Sequence, residues 1–199
     1  VRVATTTDGV NTSVLYREKE SDPFKKVITT SFKEGLSPLF FTYDNKHVYV
    51  SSNIGRDKSA IFKYDMVTGK FLEKIYEHPQ VDVSQLVGSE KQKKVIGVRY
   101  ITDKSHFHFF DKKSEELYAK LEQLRPGVEV SISGSSKDET KLLIRTYSDK
   151  TRGGYYYYDV KSEKLHKLDD ISPWLKAEHL SDMKYISFKS RDGLTIHAY

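Results

Sequence analysis

An apolar run of the form Leu142-Leu143-Ile144-Arg145-Thr146 occurs three times in this chain, always at the same interval. Val95-Ile96-Gly97-Val98-Arg99 precedes it by 47 residues, and Val48-Tyr49-Val50-Ser51-Ser52 lies another 47 before that. Each run is followed by a second that ends on an aromatic residue and an aspartate: Tyr64-Asp65, Phe110-Asp111 and Tyr158-Asp159. A turn comes after every aspartate, whose carboxylate can accept hydrogen bonds from the amides of the turn it opens. A period of roughly 40–50 residues with four short strands per repeat is the sign of a propeller blade. The expected fold is therefore all-β, a partial β-propeller of about three and a half four-stranded antiparallel blades. The blades fall at about residues 1–35, 36–79, 80–126 and 127–168.

The stretch Lys141–Leu168 shows the unit most clearly, with two strongly apolar runs and a shorter third separated by turn residues. Leu142, Leu143 and Ile144 are consecutive, as are Tyr155 to Tyr158, and unalternating strands are expected to be covered on both faces. Tyr64, Phe110 and Tyr158 are expected at equivalent, mostly buried inner-face positions, and Val48, Val95 and Leu142 likewise on the neighbouring strand, with Leu143 in the core. The chain opens inside a blade whose first strand is missing, with a hairpin around Asp8-Gly9 and a third strand at Val27-Ile28-Thr29. The third blade departs from the pattern. After Asp111, Leu117, Leu121 and Leu124 have helical spacing, so either a helix replaces or precedes the outer strand, or a strand there is rich in helix formers.

Composition narrows the chemistry. With no cysteine the chain has no disulfide framework, thiolate metal site or cysteine nucleophile, a pattern compatible with cytoplasm and periplasm alike. The net charge of +5 comes from 33 basic residues mixed among 28 acidic ones, which reads as a solvated surface and not a nucleic-acid footprint. No apolar run is long enough for a membrane helix. Val1 in place of an initiator Met points to a processed or trimmed piece.

Several residues invite a chemical reading. His106 and His108 share one face of a strand, as a metal pair would, but no third ligand has a persuasive spacing, and packing among Phe107, Phe109 and Phe110 is the simpler role. Arg152-Gly153-Gly154 lacks a following helix and reads as a hairpin turn rather than a phosphate loop. Lys91, Lys93 and Lys94 form a solvated basic turn. Glu115-Glu116 on a helix could receive a peptide amino terminus, and Tyr155–Tyr158 could offer an aromatic surface, although blade packing explains the tyrosines more simply. Gly88-Ser89 and Gly134-Ser135 are taken as turns between strands, without a strand–elbow–helix context for a serine nucleophile. Asp192 and His197 flank a hairpin and are taken as turn and strand residues. No catalytic, cofactor-binding or metal-binding residue is assigned, and no cofactor is expected.

After Asp169 the pattern changes. Ser172-Pro173 is a helix-start signal, and Trp174, Leu175 and Leu180 suggest a linker helix over 169–184. Tyr185–Ser190, the turn Arg191-Asp192-Gly193 and Leu194–Tyr199 then read as a hairpin over 185–199. The string ISFKSRDGLTIHAY resembles the start of the α/β-hydrolase domain in the prolyl-oligopeptidase family of serine peptidases, with acylaminoacyl- and dipeptidyl-peptidase-like members nearest. The resemblance implies that a propeller precedes a catalytic domain lying beyond Tyr199, where the Ser-Asp-His triad would be. It assigns this chain a non-catalytic part, gating short peptides toward that domain. The alternative is a stand-alone propeller-type scaffold that binds a protein partner. Unpaired outer blades further suggest self-association.

Overall fold

The computed structural model describes every residue, Val1–Tyr199, and divides into two compact units, Val1–Asp111 and Lys112–Tyr199. The first unit holds three antiparallel sheets. They are β1 (Val3–Thr7), β2 (Thr12–Tyr16) and β3 (Lys25–Thr30); then β4 (Leu36–Phe41), β5 (Val48–Ser52), β6 (Ala60–Asp65) and β7 (Lys70–Tyr76); then β8 (Val83–Ser89), β9 (Lys94–Ile101) and β10 (Ser105–Phe109). The second unit starts with helix α1 (Lys112–Leu124). It continues through the meander β11 (Glu129–Ser135), β12 (Lys141–Tyr147), β13 (Gly154–Asp159) and β14 (Lys164–Asp170), and ends in the hairpin β15 (Ile186–Lys189) and β16 (Thr195–Ala198). All-β architecture with propeller-type meanders is what the repeats demand.

One cross-strand pair recurs in the sheets. Val3 faces Tyr16, Val48 faces Tyr64 and Leu142 faces Tyr158. An aliphatic side chain opposite an aromatic ring is among the favourable cross-strand combinations, adding roughly 0.2–1 kcal/mol beyond an alanine pair. Tyr64 and Tyr158 are each only 1% exposed. Burial pushes both phenol groups up in pKa.

The third sheet keeps the pair but shifts it by one residue. The β9–β10 register sets Gly97 against Phe109, and the Phe110 N–H continues the ladder to the Ile96 carbonyl at 2.8 Å. The residue equivalent to Val48 is therefore Ile96, not Val95. A one-residue offset in a strand carries a side chain to the opposite face. Phe110 also departs from the expected burial, at 40% exposed, because the turn into a fourth strand is replaced by α1, which starts right after Asp111. In that helix Ser114, Tyr118 and Leu121 form the buried stripe, at helical spacing. Asp111 precedes the first turn, where an aspartate is a favoured cap, and Glu115 within that turn suits the helix dipole. Gly127, at φ 79°, follows the helix end.

Three core clusters hold the units. In the first unit Val14 and Tyr16 of β2 pack with Leu36, Val48, Val50, Tyr64 and Met66, joining the first two sheets. Ile61 packs with Val83 and Val98, joining the second and third, and the buried Ser51 hydroxyl donates to the Val83 carbonyl at 2.9 Å. In the second unit Leu121 closes over Val130, Leu142, Ile144, Tyr156 and Tyr158. There β12 alternates strictly, with Leu142, Ile144 and Thr146 buried and Lys141, Leu143 and Arg145 exposed. Leu143, expected in the core, is 37% exposed on the sheet face away from α1, together with Tyr155. Coverage of both faces by neighbouring elements does not hold for this sheet.

Two further expectations change form. Gly88 and Gly134 are not in turns but lie inside β8 and β11, at irregularities between Val87 and Gly88 and between Ile132 and Gly134. Glycine within a strand often marks such a bulge. The linker helix expected over 169–184 takes the form of one 3-10 turn, Ala177–His179. Trp174 remains 76% exposed, so no apolar stripe is available to hold a longer helix against the sheet.

The two leucines at 142 and 143 give a direct check. Leu142→Ala should lower unfolding free energy by about 2–5 kcal/mol, since it empties a packed site. Leu143→Ala should cost less than about 1 kcal/mol. Urea unfolding of the two variants measures the difference, and equal losses would contradict the observed faces.

Candidate functional site

Strands alternate in direction, so the β12–β13 hairpin and the chain leaving β14 emerge at the same end of the fourth sheet. That hairpin closes through reciprocal Ser148 and Thr151 backbone bonds of 2.9 and 3.4 Å. Gly153 has φ 77°, and a Cβ there would stand 1.7 Å from the Thr146 carbonyl oxygen, so only glycine fits. The Gly154 N–H donates to the Thr146 hydroxyl at 3.2 Å, and the Ile171 N–H to the Gly153 carbonyl at 2.9 Å. The turn itself is thus Asp149-Lys150, and Arg152-Gly153-Gly154, expected as the hairpin turn, is the segment that leads from it into β13.

The linker is tied to this hairpin from both sides. Lys150 Nζ donates to the Leu180 carbonyl at 2.8 Å and lies 3.1 Å from Asp182. The Met183 N–H donates to Asp149 Oδ2 at 2.8 Å. Between hairpin and linker is a cleft of about 280 Å³ whose walls include Arg145, Tyr147, Thr151, Arg152, Leu175 and Leu180. Beyond it, β15 and β16 pair Ile186 with Ala198 and Phe188 with Ile196, and Tyr185, Ile186, Phe188, Leu194 and Tyr199 are all exposed.

A turn motif absent from the sequence-based expectations recurs at three hairpins. Thr42-Tyr43-Asp44-Asn45, Ser136-Lys137-Asp138-Glu139 and Ser190-Arg191-Asp192-Gly193 share one build. In each the first hydroxyl donates to the aspartate, the fourth amide donates to the first carbonyl at 2.7–3.0 Å, and the fourth residue has positive φ. The signal in the sequence is a hydroxyl residue two before an aspartate. Those hydroxyls, as the leading cause, hold the Asp44, Asp138 and Asp192 carboxyls below the ordinary range. At the other turns the Thr68 hydroxyl does the same for Asp65, and the Ser162 amide for Asp159. Asp8, whose leading cause is the Asn11 amide, is lowered to about 2.

The other residues with chemical potential fall into place individually. His106 and His108 do share a face, in an aromatic group with Tyr76, Tyr100 and Phe110, and His108 stacks on Tyr76 at 4.6 Å between ring centres. His106 lies 3.1 Å from Asp103, whose carboxyl is lowered to about 2 chiefly by that contact. Lys93 pairs with Glu90 at 2.9 Å and Lys94 with Asp111 at 3.7 Å in the basic turn. Glu116 pairs with Lys112 at 3.7 Å along α1. Of the four tyrosines, Tyr156 and Tyr158 fill the core, while Tyr157, on the opposite face, packs against His166. Asp192 serves its own turn and His197 bonds the Tyr185 hydroxyl, so the two take separate partners.

Comparison with known proteins points the same way as the fold. The chain is 29% identical over 185 residues to dipeptidyl aminopeptidase BIII of Pseudoxanthomonas mexicana, covering 92% of this chain and 25% of that protein. A solved prolyl endopeptidase shares its fold at TM-score 0.56 and 14% identity, over 98% of this chain and 30% of the other. Prolyl oligopeptidase B from Galerina marginata, bound to a 35mer substrate, gives TM-score 0.56 and 13% identity over 98% and 29%. Puromycin hydrolase gives 0.54 and 12% over 98% and 32%. No family model matches the sequence. The solved structures show that the chain shares its fold with part of prolyl oligopeptidases, and the chain spans about a quarter of the length of the curated relative it matches.

The lowered carboxylates set an acid limit. A group whose folded pKa is depressed stabilises the fold above its unfolded pKa, and the contribution is lost as pH falls through the folded value. The thermal midpoint should therefore be level from neutral pH down to about 5. It should then fall between the ordinary aspartate value of 3.8 and the value of about 2 reached by Asp8 and Asp103. Asp138→Asn should shrink that fall; a midpoint unchanged down to the lower value would remove the aspartate turns as its source.

Proposed function

We propose that this chain is the non-catalytic propeller part of a prolyl-oligopeptidase-like serine peptidase, which limits access of short peptides to a catalytic domain outside these 199 residues. The observation that carries the reading is the 29% identity with a dipeptidyl aminopeptidase over 92% of the chain. Two structural features support it. The chain leaves its last four-stranded sheet through a linker pinned by Lys150 and Asp149, which fixes the direction in which the chain continues. The terminal hairpin carries exposed apolar side chains on a two-stranded ribbon, and such a ribbon is marginal unless a further layer packs on it. A catalytic domain following the hairpin supplies that layer.

A fluorophosphonate probe tests the division of labour. The 199-residue chain should remain unlabelled and should not hydrolyse peptide or ester substrates above background, because no serine in it occupies a nucleophile elbow. In a longer protein containing it, labelling should fall on a serine beyond Tyr199. Labelling within residues 1–199 would overturn the reading, and a longer protein that never labels would favour the protein-binding scaffold.

The isolated chain should also self-associate, because Leu143, Tyr155, Leu168 and the hairpin side chains expose apolar surface that a monomer rarely keeps. Sedimentation at tens of micromolar, a rough level for interfaces of ordinary size, should show species larger than 23.0 kDa. A single monomer boundary would contradict it.

A further inference from the structure

We propose that the cleft between the β12–β13 hairpin and the linker binds the terminal carboxylate of a peptide, held by Arg145 and Arg152. Both side chains line the cleft, and neither guanidinium has an ion-pair or hydrogen-bond partner. Arg2, Arg17, Arg56 and Arg99 each donate to a side chain or carbonyl of the chain. Of the other unpaired arginines, Arg125 packs over the Tyr156 ring and Arg191 lies in the terminal hairpin turn, so Arg145 and Arg152 are the two that line this cleft. The acids around the cleft are already engaged. Asp149 accepts the Met183 amide, Asp182 faces Lys150, and Glu129 accepts the Tyr147 hydroxyl at 2.7 Å. Two cations are thus left facing one concavity with neighbouring acids committed elsewhere.

The chemistry of the ligand is set by the walls. A guanidinium presents a planar fork of donors that matches a carboxylate with two parallel hydrogen bonds, and two forks in one site suit an acceptor with no positive charge beside it. Leu175 and Leu180 supply an apolar wall on the linker side. The volume of about 280 Å³ lies just under the ~300–1,000 Å³ of sites for drug-sized ligands, so the cleft takes an end residue and not a long stretch of chain. An apolar residue ending in a free carboxylate meets the arginines and the leucines, with its charge turned away from Asp149, which also lines the cleft and is held by the Met183 amide. Inorganic phosphate would satisfy the arginines but leave the leucines unused. The proposal does not rest on the peptidase reading, because it requires no reaction.

The test uses the 199-residue chain and N-acetyl-Ala-Leu, with the same peptide as its C-terminal amide and with inorganic phosphate as controls. Amide-resolved NMR titration should show the free acid shifting Ser148, Thr151 and the two arginine side chains, with the amide form at least tenfold weaker. Arg145→Gln and Arg152→Gln should each weaken the acid about tenfold, in line with loss of one charge-assisted pair. Both substitutions are on exposed side chains, and unchanged core shifts at Leu142 and Ile144 show that the sheet is intact. Equal binding of acid and amide, binding that survives both substitutions, no binding at all, or phosphate binding as tightly as the peptide would each overturn the assignment.

Discussion

The architecture depends on one local arrangement: an aliphatic residue facing an aromatic one across neighbouring strands, beside the aspartate that opens the next turn. In the second and fourth sheets Val48–Tyr64–Asp65 and Leu142–Tyr158–Asp159 supply it fully. The ring fills the core, and the adjacent carboxylate satisfies turn amides that would otherwise need water, as when Asp65 accepts from Val67 and Thr68 and Asp159 from Lys161 and Ser162. Burying a ring and turning the chain within two residues lets a short strand contribute to a core before reversing. In the third sheet the pairing is kept but the return strand is not. Asp111 precedes a helix, Phe110 is left partly in solvent, and the residues that would have formed an outer strand become the cover of the next sheet.

Much of this was readable from spacing, because a repeat fixes strand order and turn placement together. Spacing cannot fix the face. The 47-residue interval aligned Val95 with Val48, while the ladder places Ile96 there, since one residue of slack between strands leaves the interval nearly unchanged and reverses every side chain. The Leu142-Leu143-Ile144 and Tyr155–Tyr158 runs misled for a related reason. Composition identified them as apolar, but only alternate members enter the core, and Leu143 and Tyr155 are left on the open face. Glycines 88 and 134 looked like turn residues and are bulges, because the same freedom serves either purpose and only the pairing on both sides distinguishes them.

The cleft was not legible at all. Its two arginines are separated from the two leucines by more than twenty residues of sequence and by the whole of β13 and β14. They meet because an even number of strands returns the chain to the end it left. The ties through Asp149 and Lys150 then hold the linker across the hairpin. Arg152 stood out only as part of Arg152-Gly153-Gly154 and the leucines only as part of a linker helix, and the run Ser172-Pro173-Trp174 pointed toward a helix that would have led the chain elsewhere.

The terminal string separates turn chemistry from family resemblance. Ser190-Arg191-Asp192-Gly193 has the geometry of Thr42–Asn45 and Ser136–Glu139, two hairpins inside the propeller sheets, so the hydroxyl–x–aspartate–x core of the resemblance reflects turn chemistry shared by unrelated positions. The distinguishing part is the pair of flanking strands, Ile186–Lys189 and Thr195–Ala198, whose apolar side chains Ile186, Phe188 and Ile196 share one exposed face of a two-stranded ribbon, with Ser187, Lys189, Thr195 and His197 on the other. Within the propeller-type sheets the same turn joins strands that bury one face against a neighbouring layer. In the terminal ribbon that layer is supplied by nothing among these residues. The turn thus explains why the ribbon forms, and the unburied strands leave its apolar face without cover.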